Sequence, residues 1–451
     1  MENDLNDKAL KYHSDGKPGK TAVVPTKPYG TLRDLSMAYT PGVAVPAAEI
    51  DHDRWKAYRY TNKGNLVAVI SNGSAVLGLG NIGALASKPV MEGKAMLFKV
   101  YADIDAFDIE LGNEEPERMI ATIQALAPTF GAINLEDIKA PECFRIEERL
   151  RELLDIPVLH DDQHGTAVTI AAALMNACEV AAKEIGDIRI VICGAGAAGI
   201  STARMLLDIG AKKELITMVD SKGVINRERS NLERAKQEFA TDNGAKTLHD
   251  AMKGCDVFIG LSRGDLLGDD DVKVMAGRPV IFALANPTPE IGYEKARILR
   301  PDAIVATGRS DTPNQINNVL AFPYLFRGAL DTLATCINRD MEIAAAYSIA
   351  RIAHENTPHE VEEKYGCRLE FGSDYLLPKP GDRRLLTEVS SAVAKAAMQS
   401  GVARRDIASF KEYALTLLSR IDNMNFFARK NMRHNISATL QSKKGRREHE
   451  L

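Results

Sequence analysis

Four carboxylates in two short segments are the residues of this sequence best suited to chemistry. Glu136 and Asp137 end one apolar run, and Asp161 and Asp162 end another. Acidic groups beside buried strands must be neutralised, and a hard divalent cation does this through oxygen ligands. One acidic pair in a loop is usually solvated. Two pairs at predicted strand ends favour a metal site.

A glycine-rich turn further along the chain has the context of a dinucleotide-binding site. The segment from Gly194 to Gly199 reads Gly-Ala-Gly-Ala-Ala-Gly, follows a predicted strand and opens a helix. Glycines at this spacing allow a tight turn and a close approach of the backbone, so that a pyrophosphate sits on the helix N-terminus. A second strand then ends in an aspartate that can accept hydrogen bonds from a ribose diol. The cofactor-binding residues predicted from this pattern are Gly194, Ala195, Gly196, Ala197, Ala198, Gly199 and Asp220.

The choice between NAD and NADP stays open in the sequence. Asp220 repels a 2′-phosphate and so favours NAD. Lys222 or Arg227 could reach a 2′-phosphate and favour NADP.

A second segment, from Gly78 to Gly83, has the same glycine spacing. Pro89 follows too soon for an ordinary crossover helix, because an interior proline removes a hydrogen bond and clashes with the preceding turn. We interpret the segment as a glycine-rich turn that places the chemistry residues of the first domain near a substrate.

Composition restricts the class of protein. The chain has 451 residues and a formal net charge of −4, with no extended basic face, so nucleic acid and anionic membranes are poor candidate partners. No apolar run is long enough to span a bilayer, and the opening residues lack the features of a signal peptide. The six cysteines are scattered and are expected to be buried thiols. A cytoplasmic protein is expected.

The predicted fold class is α/β, because short apolar runs alternate with helical stretches as in a parallel sheet. We expect an N-terminal α/β catalytic domain for substrate and metal at 1–160, a doubly wound Rossmann-type NAD(P)-binding domain at 161–400, and a C-terminal helical extension at 401–451. Residues 36–44 are predicted to form a polar loop. The predicted strands are 66–70, 96–101, 131–135, 156–160, 188–193, 214–219, 256–261, 279–284 and 303–306. The predicted helices are 117–126, 166–182, 316–334 with a kink at Pro323, 341–355, 386–400 and one after Ser409.

Six ordered segments resemble those of malic enzymes, in particular the shorter bacterial form. They read Ser-Met-Ala-Tyr-Thr-Pro-Gly-Val-Ala at 36–44, Glu-Gly-Lys at 92–94, Asn-Leu-Glu-Asp at 134–137, His-Asp-Asp-Gln-His-Gly-Thr at 160–166, Ala-Asn-Pro-Thr at 285–288 and Asn-Asn at 317–318. The resemblance implies oxidative decarboxylation of malate to pyruvate and carbon dioxide, with NAD or NADP and Mg²⁺ or Mn²⁺. It also implies decarboxylation of oxaloacetate and a homodimer or higher homo-oligomer.

The resemblance assigns binding roles to matched residues. It implies that Glu136, Asp137 and Asp162 bind the metal. Oxygen-only ligands select Mg²⁺ or Mn²⁺ over zinc, and two consecutive strand residues can share an ion only where the strand breaks into a turn. Asn286 and Asn318 match positions that contact cofactor and substrate.

The resemblance also assigns the proton chemistry. Lys94 matches the base for the C2 hydroxyl proton, and burial together with a nearby cation must lower its pKa for that role. Tyr39 matches the residue that protonates C3, and Asp161 is placed to assist proton transfer or to tune Lys94. The sequence does not decide whether Tyr39 and Lys94 serve their own subunit or a neighbour.

The sequence departs from the longer members of the family at one place. Those members carry an arginine that binds the malate carboxylate, whereas this chain has Gly-Ser-Ala-Val at 73–76. Backbone N–H groups of the turn from Gly78 to Gly83 are our candidate for binding the C4 carboxylate.

Four other functions compete with this interpretation. A malolactic enzyme or a metal-dependent oxaloacetate decarboxylase would use much the same residues. Amino-acid dehydrogenases also join a catalytic lysine to a Rossmann domain, but hydride transfer to an imine needs no cation. A dinucleotide-sensing module would not require Tyr39, Lys94 and three carboxylates together.

Overall fold

Two sheets of mostly parallel strands organise the protein, whose computed structural model describes residues 2–76, 78–112 and 115–423. The first sheet consists of β1 (Leu66–Ser71), β2 (Asp105–Glu110), β3 (Ala132–Leu135) and β4 (Val158–His160). The second consists of β5 (Ile190–Cys193), β6 (Ile216–Asp220), β7 (Gly223–Val224), β8 (Val257–Gly260), β9 (Val280–Ala283) and β10 (Ile304–Thr307). The strand orders are β2-β1-β3-β4 and β10-β9-β8-β5-β6-β7. Only β7 is antiparallel to its neighbour.

Helices surround both sheets. Those of the first half are α1 (Glu2–Ser14), α2 (Leu32–Ala38), α3 (Ala44–His52), α4 (Ala57–Tyr60), α5 (Ala84–Ala102), α6 (Pro116–Leu126), α7 (Glu142–Leu153) and α8 (Asp161–Ala181). Those of the second half are α9 (Ala197–Asp208), α10 (Arg234–Gln237), α11 (Leu248–Met252), α12 (Asp269–Lys273), α13 (Tyr293–Leu299), α14 (Phe322–Asp331), α15 (Arg339–Ile352), α16 (His359–Tyr365), α17 (Ser390–Gln399) and α18 (410–423). The predicted α/β class with C-terminal helices is confirmed.

Strand order places a binding edge in each sheet. In the first sheet β2 lies on one side of β1 and β3 on the other. In the second sheet β6 and β8 likewise lie on opposite sides of β5. The carboxyl ends of strands at such a reversal are where open α/β sheets bind ligands. Helix α8 lies between the sheets, and one apolar core includes Val67 of β1, Ile170 of α8 and Ile192 of β5. The two binding edges are therefore held in one body, and the predicted domain limits stay a prediction.

The strand predicted at 96–101 is wrong, because this segment belongs to α5. Its buried residues Met91, Ala95, Phe98 and Ala102 recur at helical spacing. A short apolar run does not separate a buried helix from a strand. The second strand of the sheet is instead the acid-rich β2.

The expectation that Pro89 excludes a crossover helix is also wrong. Helix α5 connects parallel strands β1 and β2 with Pro89 in its sixth position. Proline there removes one early hydrogen bond, and the packing of Met91 and Phe98 in the core outweighs that loss.

Two other predicted elements change their limits. Residues 36–38 of the predicted polar loop end α2, which starts with a capping box between Thr31 and Asp34. The helix predicted at 316–334 begins only at Phe322, so that Pro323 starts the helix instead of kinking it.

Two further predictions concern the burial of the cysteines and the lack of a membrane-spanning segment. All six cysteines are free thiols, of which four are buried, Cys336 is half-buried and Cys367 is exposed. Among residues 2–76, 78–112 and 115–423 we find no helix with the length and apolar character of a membrane span.

Candidate active site

The sheet register brings the predicted metal ligands together. Strands β3 and β4 are parallel neighbours with Leu135 opposite His160, so the residues that follow each strand meet at one edge. Carboxylate oxygens of Glu136, Asp137 and Asp162 lie within 4.8 Å of one another. Asp137 has a left-handed φ of 53°, which is the break needed for two consecutive side chains to face one ion.

The three carboxylates are suited to hold a cation. Burial, followed by repulsion from neighbouring carboxylates, raises the pKa of Glu136 to about 7, of Asp137 to about 9 and of Asp162 to about 6. Oδ2 of Asp137 is buried without a hydrogen-bond partner. A cluster of oxygen ligands without nitrogen or sulfur suits Mg²⁺ or Mn²⁺, so the residues fit the metal that the resemblance implies.

Lys94 lies on α5 beside this cluster and is buried. Its ammonium is 2.5 Å from Oδ2 of Asp161 and 3.0 Å from Oε1 of Glu136, and it lies 4.1 Å from the ring centre of Phe322. Burial lowers the pKa of Lys94, but the charges of Asp161 and Glu136 outweigh burial and leave the pKa raised. The expected lowering of this pKa includes the effect of a nearby divalent cation and stays a prediction for the metal-bound protein.

Asp161 links Lys94 to the rest of the cleft. It is fully buried in the first turn of α8, where the helix dipole favours a negative charge. Nδ2 of Asn318 donates to its Oδ2 at 2.5 Å, and a Cβ at Gly165 would come within 1.9 Å of its Oδ1. The sequence reasoning missed Gly165. An isolated glycine inside a helical pattern was the available signal.

The turn from Gly194 to Gly199 adopts the predicted dinucleotide geometry between β5 and α9. Gly194 has a φ of 122° and makes the sharp turn. A Cβ at Gly196 would meet no atom within 4 Å, which leaves space for a ligand, whereas one at Gly199 would lie 1.9 Å from the carbonyl oxygen of Gly194. Gly194, Gly196 and Gly199 therefore allow, in that order, the sharp turn, the close approach of a ligand and the packing of the helix against the strand.

One cleft joins the two predicted sites. A cavity of about 990 Å³ is lined by the predicted metal ligands Asp137 and Asp162, by the turn residues Gly196, Ala197, Ala198 and Gly199, by Asn286 and Asn318, and by Gly78 and Gly80. An adjoining cavity of about 800 Å³ is lined by Gly194, Ala195 and Asp220. The second glycine turn thus faces the same cleft as the dinucleotide turn.

Asp220 ends β6 at the adjoining cavity and is not a free acceptor. Arg229 donates to both of its carboxylate oxygens, at 3.0 and 2.9 Å, and Lys236 lies at 3.5 Å. Although burial acts in the opposite direction, these cations lower the pKa of Asp220. Arg227 pairs with Asp242 instead. The sequence reasoning missed Arg229 and Lys236.

Tyr39 differs from the other two predicted catalytic residues, because Lys94 and Asp161 are buried at the carboxylate cluster and Tyr39 is exposed. It ends α2 with 75% of its surface exposed. Exposed apolar side chains surround it in the sequence, among them Leu35, Met37 and Val45.

Two histidines of the segment from 160 to 166 lie beside the candidate site. His164 contacts Glu147 at 3.0 Å and Glu342 at 2.9 Å, and these pairs raise its pKa to about 9 against the effect of burial. His160 is fully buried at the start of α8. His164 thus ties α8, which carries Asp162, to Glu147 of α7 and Glu342 of α15, whereas the ring of His160 lies 3.9 Å from Oδ2 of Asp162.

A carboxylate cluster and a dinucleotide turn on facing walls define a two-domain nicotinamide-nucleotide-binding protein with a metal site. Residues 18–151 match the N-terminal domain of malic enzyme, and residues 163–363 match the malic enzyme NAD-binding domain. The chain therefore belongs to the malic enzyme family.

Similar proteins agree with this membership. The NADP-dependent malic enzyme of Escherichia coli is 54% identical over 95% of this chain and 57% of its own length. That of Halomonas elongata is 54% identical over 88% of this chain and 94% of its own length. The crystal structure of malic enzyme from Pyrococcus horikoshii has a TM-score of 0.87 at 42% identity and covers 95% of this chain and 99% of that one. The chain spans little more than half the length of the first of these relatives.

Relatives differ in cofactor and outcome. An NAD-dependent malic enzyme of Rhizobium meliloti is 50% identical over 94% of this chain and 54% of its own length. A bifunctional malic/malolactic enzyme of Bacillus subtilis is 47% identical over 89% of this chain and 95% of its own length.

Proposed function

We propose that the protein oxidatively decarboxylates malate to pyruvate and carbon dioxide, with reduction of NAD(P)⁺ and dependence on Mg²⁺ or Mn²⁺. The observation that carries this proposal is the ammonium of Lys94, 2.5 Å from Asp161 and beside three clustered carboxylates, at the end of a dinucleotide cleft. When bound, a divalent cation supplies a Lewis acid for the substrate oxygens, and the nicotinamide ring supplies the hydride acceptor.

Three side chains have separate roles in the transfer of the hydroxyl proton. With a bound cation offsetting the charges of Glu136 and Asp161 that raise its pKa, Lys94 would be neutral and take the proton of the C2 hydroxyl. Asp161 holds the lysine by a hydrogen bond, and Asn318 fixes the same oxygen of Asp161. A positioned base of this kind contributes about 10²- to 10⁴-fold to the rate. Decarboxylation of added oxaloacetate belongs to the same proposal, because it would use a cation held by the same three carboxylates.

Tyr39 acts as the proton donor to C3 from a second copy of the chain. Its exposed ring stands among exposed apolar side chains of α2 and α3, neither of which buries a residue. Exposed apolar surface of this kind is typical of an interface. A homodimer would cover it and complete each cleft with the tyrosine of the partner.

NADP is the preferred cofactor. Because Arg229 and Lys236 occupy the carboxylate of Asp220, its oxygens are not free for a ribose diol. Lys222 and Lys246 line the same cavity, so the surroundings of Asp220 are cationic and suit a 2′-phosphate. The ratio of kcat/KM for NADP⁺ over NAD⁺ measures this preference, and a ratio below one would contradict it.

Product analysis tests the reaction. Incubation with malate, Mn²⁺ and NADP⁺ should yield equal amounts of pyruvate and reduced nicotinamide. A malolactic reaction is the second candidate, favoured by the similarity to the bifunctional Bacillus subtilis enzyme. Lactate formed without net reduced nicotinamide would replace our proposal by that one.

A lysine substitution tests the base. Lys94→Ala should lower kcat by about 10²-fold or more while NADPH still binds. Lys99→Ala, on the same helix but paired with Asp103 and Asp105 at its far end, should keep the wild-type kcat. Equal kcat for Lys94→Ala and wild type would remove Lys94 from the mechanism.

Mixed dimers test the origin of Tyr39. Tyr39→Phe and Lys94→Ala proteins should each be nearly inactive. After they are mixed and allowed to exchange subunits, about a quarter of wild-type activity should return, because half of random dimers are mixed and each holds one intact cleft. A tyrosine acting in its own subunit would restore nothing.

A further inference from the structure

Glu290 is a buried carboxylate that the proposed reaction does not use. It lies between β9 and α13, and 0% of its surface is exposed. One carboxylate oxygen accepts the backbone N–H of Ser262 at 3.0 Å, and the other accepts the backbone N–H of Ala285 at 3.0 Å. Ser262 belongs to the loop after β8 and Ala285 to the loop after β9. One side chain therefore connects two loops that are more than 20 residues apart in the chain.

The surrounding backbone is shaped to hold this carboxylate. β8 ends in Gly260, where a Cβ would come within 2.3 Å of Cδ of Glu290. Backbone hydrogen bonds from Asp265 to Pro289 and from Leu267 to Glu290 join the same two segments. Burial raises the pKa of Glu290, whereas the N–H groups of Ala285 and Ser262 act in the opposite direction because they stabilise the charged form.

The connected loops form one wall of the cleft. Residues 261–265 and 284–288 line the cavity that also contains Asp137 and the turn residues Gly196 to Gly199. We propose that Glu290 is a positioning residue, which ties these two loops together and so sets the shape of the wall that contacts the bound dinucleotide. The inference rests on the proposed use of the cleft for NAD(P) and adds a residue that touches neither substrate nor metal.

A carboxylate is the side chain that this position requires. Two backbone N–H donors from different loops need two acceptor oxygens, and an amide offers only one. Glu290→Gln therefore keeps the shape but points its NH₂ group at one of the donors. The loop that loses its acceptor is held by one hydrogen bond fewer, while the core around Gly260 stays filled.

Binding and hydrogen exchange test the tether on the full chain. Glu290→Gln should raise the Kd for NADPH about tenfold, the value of one hydrogen bond to a charged group, and should speed amide exchange in residues 261–266 and 284–289. The Kd for Mn²⁺ should stay within about twofold, because its ligands lie on the other wall. Glu294→Gln is the matched control, since Glu294 is exposed on α13 and should change neither quantity.

A substitution at Gly260, which packs against the carboxyl group of Glu290, tests the same contact. Gly260→Ala displaces the carboxylate without altering its charge, and should reproduce both changes. The double variant should bind NADPH no more weakly than the worse single variant, because both act on one contact. Hydrogen exchange needs no ligand, so it tests the tether even if malate is not turned over. An unchanged Kd for NADPH in both variants, with or without a lower Tm, would overturn the positioning role.

Discussion

The two glycine turns of the cleft share one spacing and differ in the reason for their glycines. In the turn from 194 to 199, Cβ atoms at Gly194 and Gly199 would lie 2.4 and 1.9 Å from backbone oxygens. In the turn from Gly78 to Gly83, all three glycines have φ values between 72° and 78°, and a Cβ at Gly80 or Gly83 would meet nothing within 4 Å. Close packing therefore requires glycine at 194 and 199 of the first turn, whereas backbone conformation alone requires it at 80 and 83 of the second, in which a Cβ at Gly78 would also lie 3.0 Å from Cδ of Pro287.

Packing and conformation give the two turns different uses. Helix α9 begins at Ala197, just after β5 ends at Cys193, so its N-terminal N–H groups point at a ligand beside the strand. Helix α5 begins only at Ala84, well beyond the end of β1. The intervening loop instead reaches the carboxylate wall, where Ala75 donates to the carbonyl of Asp137 at 3.0 Å. The distance between strand end and helix start separates the two cases better than the glycine spacing does.

The largest expected effect comes from the packed turn. Gly194→Ala introduces both a clash with Leu261 and a φ of 122° that alanine avoids. We expect the free energy of unfolding to fall by about 3 kcal/mol and NADPH binding to be lost, as measured by denaturant unfolding and calorimetric titration. Gly277→Ala, with no atom near its Cβ and no left-handed φ, should change stability by less than about 0.5 kcal/mol. Normal NADPH binding in Gly194→Ala would contradict the packing argument.

The carboxylate wall should respond to pH, whereas nothing in the turn from 194 to 199 titrates. The pKa values of Glu136 and Asp137 are raised to about 7 and about 9. The folded state therefore binds protons that the unfolded state releases, and its stability falls as pH rises towards the folded pKa. For metal-free protein we expect the free energy of unfolding to fall by about 1 kcal/mol per unit between about pH 5 and 8.

Metal provides the control for that pH dependence. Saturating Mn²⁺ should flatten the curve, because a bound cation replaces the protons. Unfolding by urea at each pH, in chelator and in Mn²⁺, gives the two curves. Identical slopes in the two series would mean that these carboxylates do not bind the ion.

A substitution at Gly196 should separate the effect of this turn on NADPH binding from its effect on stability. A Cβ at Gly196 meets no protein atom but takes the space through which a pyrophosphate approaches the helix N-terminus. Gly196→Ala should therefore weaken NADPH binding about tenfold and leave the free energy of unfolding within about 0.5 kcal/mol. A loss of stability without a loss of affinity would reverse the roles assigned to Gly194 and Gly196.

Local chemistry explains which parts of the site could be predicted from sequence. The four candidate carboxylates follow apolar strands directly, and the dinucleotide turn joins a strand to a helix, so residue type and spacing predicted both groups. Asp220 was found for the same reason. Its partners Arg229 and Lys236 reach it only because the chain folds back after β7. The choice of Asp162 over Asp161 as a metal ligand came from the resemblance and stays a prediction.

Tertiary packing explains the parts that could not be predicted. Helix α5 tolerates Pro89 because its other residues are buried in the core, which local propensity does not reveal. The tether at Glu290 depends on two loops that meet only in the folded protein. The exposure of Tyr39 depends on what α2 fails to contact, and no sequence pattern reports that.

The smallest expected effect comes from the conformational turn. Gly80→Ala meets no clash but must adopt a φ of 72°, which costs about 1 kcal/mol for alanine. NADPH affinity should not change. The N–H groups of Leu79, Gly80, Ile82 and Gly83 already donate to the carbonyls of Val76 and Gly73, so our candidates for binding the C4 carboxylate narrow to those of Gly78 and Asn81. The KM for malate should rise, because a strained φ at Gly80 shifts these neighbouring groups. Gly366→Ala is the matched control, with a φ of 68° and no atom near its Cβ at the end of α16. It should lose the same stability and keep the KM for malate, and an unchanged KM in Gly80→Ala as well would assign the C4 carboxylate to another part of the cleft.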